Sequence, residues 1–192
     1  MLLYGRSLAD PTVRRTRKFA QRLVDMRCGT MHTSLKAALV FLRAITLPDW
    51  ILTIRDALLQ RFRHFMPYLA QAAGGTLKGK RVLDIACNSG FWSIQCALLG
   101  AEVLGIDARA ELIEEANLLE SIVGTTGAQF KVLDFWDLNP DELGQFDIVL
   151  NLGFLYHVPQ PLEALELTKK LARHHILLDT AVHPSDAFEP SS

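Results

Sequence analysis

The chain is poor in cysteine: Cys28, Cys87 and Cys96 are the only three in 192 residues. An odd count with no metal-like spacing argues against a disulfide framework and reads as free thiols in a reducing compartment, hence a cytoplasmic protein. No compact hydrophobic core follows the first methionine, so no secretory signal is expected. Leu35 to Ile54 is apolar enough to raise a membrane question. Lys36, Arg43, Pro48 and Asp49 interrupt it, and the stretch predicts a buried helix rather than a span. Internal repeats and low-complexity tracts are lacking. So is a convincing metal set: His174 and His175 adjoin in an apparent strand and should point to opposite faces. What is present suits a globular enzyme, with 49% apolar and 21% charged residues in a chain long enough for one domain plus a helical extension.

The formal net charge of −1 conceals an asymmetry. Residues 1–80 carry 14 Lys and Arg against 4 Asp and Glu, a balance of +10, and residues 81–192 carry 6 against 17, a balance of −11. The basic front half either attracts an anion such as tRNA or packs on the acidic half of the same molecule.

The chain is organised around Arg81 to Arg109. Val82-Leu83-Asp84-Ile85-Ala86 is a short apolar run bounded by turn formers, which predicts a buried strand. Cys87-Asn88-Ser89-Gly90 makes a tight turn. Phe91 to Leu99 has helical apolar spacing closed by Gly100. Glu102 to Ile106 is a second strand with Asp107 at its end. Strand, glycine-containing loop, helix, strand, acid is the plan of a nucleotide-binding βαβ unit, in which the terminal acid receives ribose hydroxyls. A dinucleotide fingerprint, G-x-G-x-x-G, would need glycines at 86, 88 and 91. The chain has Ala86, Asn88 and Phe91, which disfavours an NAD oxidoreductase. The pattern D-x-G-x-G-x-G of S-adenosylmethionine (SAM) methyltransferases needs them at 86, 88 and 90. Gly90 fits, Asn88 tolerates a left-handed backbone, and Ala86 is small.

With LDIACNSGFWSI, then GIDA, then NLGFLYHVPQPL, the stretch from Leu77 to Thr180 resembles a class I SAM-dependent methyltransferase. The wording CNSGFWS and LGFLYHV is most similar to the branch of the tRNA wobble-uridine carboxymethyltransferases and related small-molecule methyltransferases. The resemblance implies a Rossmann-like, doubly wound parallel α/β sheet and methyl transfer from SAM. The acceptor is a small molecule, or alternatively a tRNA, for which carboxy-SAM could be the donor. It further implies that the cofactor is held by Asp84, Ala86, Cys87, Asn88, Gly90 and Phe91, by Asp107 and Ala108, by Asp134 and Phe135, and by the backbone near Asn151 and Leu152. Asp134 would accept from the adenine amino group, or is an ordinary strand-end turn residue. His157 would take a proton from the acceptor as a general base, or only orients its loop.

The remaining chain divides into a helical extension over 1–76, the SAM-binding domain over 77–181 and a tail over 182–192. Asp10-Pro11 can start a helix. Ser34 to Leu47 carries a helical stripe, and Thr53 to about Ala73 predicts a long helix that Pro67 kinks or splits. These helices cover the cofactor and acceptor pocket in the family, or serve as a structural cap. Beyond Asp107 the pattern predicts a helix over 110–123, a strand over 130–133, a turn segment over 137–144, a strand over 146–150, a helix over 162–171 and a strand over 175–178. The last helix and hairpin usual in the class are missing from the sequence. The fifth strand is then an exposed edge unless the front helices or a second copy in a homodimer cover it, and the chain is a truncated or non-catalytic SAM-binding protein or a shortened enzyme.

Overall fold

The computed structural model describes residues 49–125 and 127–181, with the backbone alone at 49–57 and 59. The expected helix over Ser34 to Leu47, the helix start at Asp10 and the tail over 182–192 lie outside the described residues. By packing, the chain falls into two units divided near Arg61 and around residues 121–124. The sheet and the site belong to the unit that begins at Arg61.

Five strands, β1 (Arg81–Ile85), β2 (Glu102–Asp107), β3 (Ala128–Val132), β4 (Phe146–Leu152) and β5 (Ala172–Asp179), form one sheet. Every neighbouring pair is parallel, in the order β3-β2-β1-β4-β5. The chain steps outward from β1 to β3, then returns to the other side of β1 with β4. The direction of winding therefore reverses between β1 and β4, as the doubly wound class requires. Among the described residues five helices accompany the strands: α1 (Asp49–Ala72), α2 (Phe91–Leu98), α3 (Ala110–Val123), the short α4 (Pro140–Leu143) and α5 (Pro161–Leu171).

The central strand is apolar because both of its faces are covered. Val82, Leu83, Asp84 and Ile85 are all buried. The period-two alternation divides their side chains between two cores. Val82, Val103, Ile148 and Leu150 pack with Met66 and Leu69 of α1 and with Trp92 and Cys96 of α2. Leu83, Ile85, Ile106 and Val149 pack with Ala164 and Leu171 of α5 and with Phe135 and Leu155. Each such side chain contributes about 1.5–3 kcal/mol by burial.

Several elements depart from the sequence pattern. Pro67 neither splits nor ends its helix: α1 runs through it from Asp49 to Ala72. Proline removes its own N–H donor and crowds the carbonyl one turn back, but buried Met66 and Leu69 on either side keep that turn packed in the core. The fourth strand also runs two residues longer than the pattern indicates. Asn151 and Leu152 continue the ladder against Leu178 and Asp179 of β5. The expected turn segment over 137–144 contains a one-turn helix, started by Asn139, whose side chain accepts from the Asp141 N–H, and by Pro140. No described helix is long and apolar enough to cross a membrane.

Candidate functional site

The turn after β1 places Ala86, Asn88 and Gly90 at φ 52°, 56° and 78°. These are the three positions at which the D-x-G-x-G-x-G pattern calls for glycine. The left-handed backbone is thus retained where two of the glycines are not. The Asn88 side-chain oxygen steadies the turn by accepting from the Ser89 N–H at 2.9 Å. The Cys87 N–H donates to the Ile106 carbonyl at 2.8 Å and fastens the turn to β2. Gly90 is required for a second reason. A Cβ there would lie 2.6 Å from the Phe130 ring and 3.1 Å from the Ala116 Cβ.

Asp84 faces α2. It is buried and accepts a 2.6 Å hydrogen bond from the buried Ser93 hydroxyl. Desolvation pushes its carboxyl up to about 7, against the hydrogen bonds from Ser93 that favour the charged form. The residue therefore anchors the first turn of α2 to the strand. Burial raises the Cys87 and Cys96 thiols well above their ordinary range, so neither is a ready nucleophile.

Asp107 ends β2, with its side chain 3% exposed. Four donors converge on its carboxylate. Oδ1 accepts from the Arg109 N–H at 3.0 Å and from Arg109 Nε at 2.9 Å. Oδ2 accepts from Arg109 Nη2 at 3.0 Å and from the Asn88 N–H at 3.1 Å. Burial works against the charge, but the Arg109 and Asn88 hydrogen bonds outweigh it and hold the carboxyl below its usual value.

A cleft of about 380 Å³ opens at the carboxyl ends of the strands. That size lies within the range of small-molecule sites. One wall is Ala86, Ile106, Asp107, Ala108 and Arg109. The second is Leu133, Asp134, Phe135 and Trp136 after β3, and the third is Phe154, His157, Val158 and Pro159 after β4. Asp134 shapes the second wall by capping the 3₁₀ turn Phe135–Asp137, with Oδ1 accepting from the Trp136 N–H at 2.9 Å. His157 closes the turn Leu155–His157, its ring 4.3 Å from that of Tyr156.

Of the residues expected from sequence, Ala86, Asp107, Ala108, Asp134, Phe135 and His157 are brought together around this cleft. Asp84, Cys87, Asn88, Gly90, Phe91, Asn151 and Leu152 do not line it. Asn88 acts from behind through its amide, and Phe91 packs edge-on against Phe62 of α1 at 6.1 Å. The buried Asn151 side chain points to Thr168 of α5, at 3.4 Å. Arg109 and Trp136 join the cleft without being singled out by the sequence, whereas Phe154 belongs to the stretch after Leu152 expected to face the acceptor. Each of the first two follows a recognised acid within three residues, and that proximity was the available signal. Among the described residues no group of three His, Cys, Asp or Glu could hold a metal.

A fold wound in this way, with an acid at the end of β2 and a cleft at the strand ends, is a doubly wound α/β domain, the class in which ligands bind at that place. Residues 76–185, more than half of the chain, match the family model described as a methyltransferase domain, and the chain belongs to that family. The ubiquinone biosynthesis O-methyltransferase of Bordetella parapertussis is 35% identical over 105 residues, covering 54% of this chain and 42% of that protein. Its counterpart in Xanthomonas campestris pv. campestris is 36% identical over 102 residues, covering 53% and 42%. The chain thus spans about two fifths of the length of these curated relatives. Among solved structures, magnesium protoporphyrin IX methyltransferase (ChlM) from Synechocystis PCC 6803 with bound SAH aligns with a TM-score of 0.58 at 27% identity, over 67% of this chain and 57% of that one. The N-terminal domain of EvdMO1 with SAH bound aligns with a TM-score of 0.51 at 28% identity, over 59% and 45%.

Proposed function

We propose that this chain is a SAM-dependent methyltransferase acting on a small organic acceptor. The observation that carries the reading is the convergence of Asp107, Asp134-Phe135 and His157, from three separate strand ends, on one cleft. Asp107 receives the ribose hydroxyls, and Asp134 with the Phe135 backbone meets the adenine edge. The turn at 86–90 is positioned for the methionine end, where Ala86 leaves room that a larger side chain would fill. SAM supplies a methyl group already activated on a sulfonium. The protein has then to align donor and acceptor and, for a hydroxyl acceptor, remove its proton. His157, exposed on the third wall, is the group placed to do so. The names of the curated relatives favour oxygen as the atom methylated.

The helical extension over 1–76 and the SAM-binding domain over 77–181 stay as proposed units, the second supported by the span of the family match. A tRNA acceptor rests only on the motif wording and the basic front half. Residues 1–48, outside the described set, hold 9 of the 14 basic residues there. A homodimer rests only on the position of β5 at an edge of the sheet.

Calorimetry on the full chain tests the reading. SAM and S-adenosylhomocysteine should bind and NAD should not. Asp107→Ala should weaken S-adenosylhomocysteine binding, by less than the full value of hydrogen bonds to a charged group because Arg109 already donates to the same oxygens in the free protein. A folded Asp107→Ala protein with unchanged affinity would place the nucleoside elsewhere.

A further inference from the structure

We propose that Arg109 is a displaceable plug, whose guanidinium occupies the positions on Asp107 that a ribose diol takes, so that cofactor entry requires this side chain to swing away. The inference rests on the placement of the ribose at Asp107 given above. An ionised carboxylate offers about four acceptor positions, and four donors already meet Asp107.

Two of these donors are backbone N–H groups. The Asn88 amide is fixed by the left-handed turn and the Arg109 amide by the chain leading into α3, where the Arg109 carbonyl accepts from the Leu112 and Ile113 N–H groups. Neither can leave without undoing local structure. The other two are Nε and Nη2 of one long side chain, which is 47% exposed while the carboxylate beneath it is 3% exposed. A ribose brings two adjacent hydroxyls, and only the guanidinium pair can make way for both. Arg109 also lines the cleft.

The plug keeps a buried carboxylate satisfied before the cofactor arrives. An unpaired one would be costly, whereas exchanging two donors for two others costs little. It also lowers affinity by the strength of the pair it gives up.

Titration calorimetry with S-adenosylhomocysteine on the full chain, as wild type, Arg109→Ala, Arg109→Gln, Asp107→Ala and the Asp107→Ala/Arg109→Ala double variant, tests this. Both Arg109 variants should bind about three- to thirty-fold more tightly than wild type. Asp107→Ala should weaken binding about tenfold or more in the Arg109→Ala background and by less in wild type, where the ribose only replaces the guanidinium, and adding Arg109→Ala to Asp107→Ala should change nothing further. If the Arg109 variants bind no better than wild type while Asp107→Ala still weakens binding, the plug is wrong and the ribose placement stands. Tightening of equal size without Asp107 would show that Arg109 acts elsewhere, which also overturns the proposal. Should the double variant bind as tightly as Arg109→Ala alone, the ribose placement fails and the plug with it.

Discussion

At the scale of single residues, the turn after β1 holds two L-amino acids in a conformation that favours glycine. Asn88 tolerates φ 56°, and its side-chain oxygen accepts from its neighbour's amide. Ala86 at φ 52° has no such compensation. Left-handed backbone costs an ordinary residue about 1–2 kcal/mol, and glycine returns about 0.5–1 kcal/mol of that through the looser unfolded chain. Ala86→Gly should therefore raise the unfolding free energy by about 0.5–1 kcal/mol, and Asn88→Gly should change it by less. Urea midpoints at equal slope will show it, and a larger gain at Asn88 would contradict the account. Only part of this was legible in the sequence. Asparagine is a known visitor to the left-handed region, so Asn88 could be read. An alanine carries no such signal, and its conformation follows from neighbours that the turn brings together.

At the scale of elements, the hydrogen bond from Ser93 to Asp84 joins α2 to β1 through the core. The buried carboxyl makes that joint sensitive to pH. Below about pH 4 it is neutral in both folded and unfolded chains. Between there and about 7 it is neutral only when folded. The folded state then holds the extra proton, so stability falls as pH rises through this window and levels off above it. Asp84→Asn keeps an acceptor for the Ser93 hydroxyl and cannot ionise. The stability of Asp84→Asn relative to wild type should thus climb from pH 4 to 7 and stay flat above, as followed by urea unfolding at several pH values. A difference that is constant across that range would mean that Asp84 ionises normally. Sequence reasoning counted Asp84 among the cofactor contacts. The alternation along β1 already separates it from Leu83 and Ile85, but which face meets the ligand depends on strand order, and one strand's pattern does not contain that. The element types, in contrast, follow from local pattern alone. The helix over 110–123 occurs with the bounds the sequence indicates because Leu112, Ile113 and Ala116 repeat on one buried face. Of the two readings at Pro67, a kink or a split, the split does not occur, because packing around it holds the helix together.

At the scale of the whole sheet, the cleft walls lie on both sides of the winding reversal. Asp107 and Asp134-Phe135 follow β2 and β3, and Phe154 and His157 follow β4. The wall strands β2 and β4 share no ladder with each other, since β1 stands between them. Anything seated in the cleft adds to the direct contact these walls already make, where the Phe135 and Phe154 rings lie 4.7 Å apart. Backbone amides in Phe135–Asp137 and Leu155–His157 should consequently exchange with deuterium more slowly, and by similar factors, once S-adenosylhomocysteine is added, although the two turns lie some twenty residues apart along the chain. Protection confined to one turn would mean that the occupant leans on a single wall.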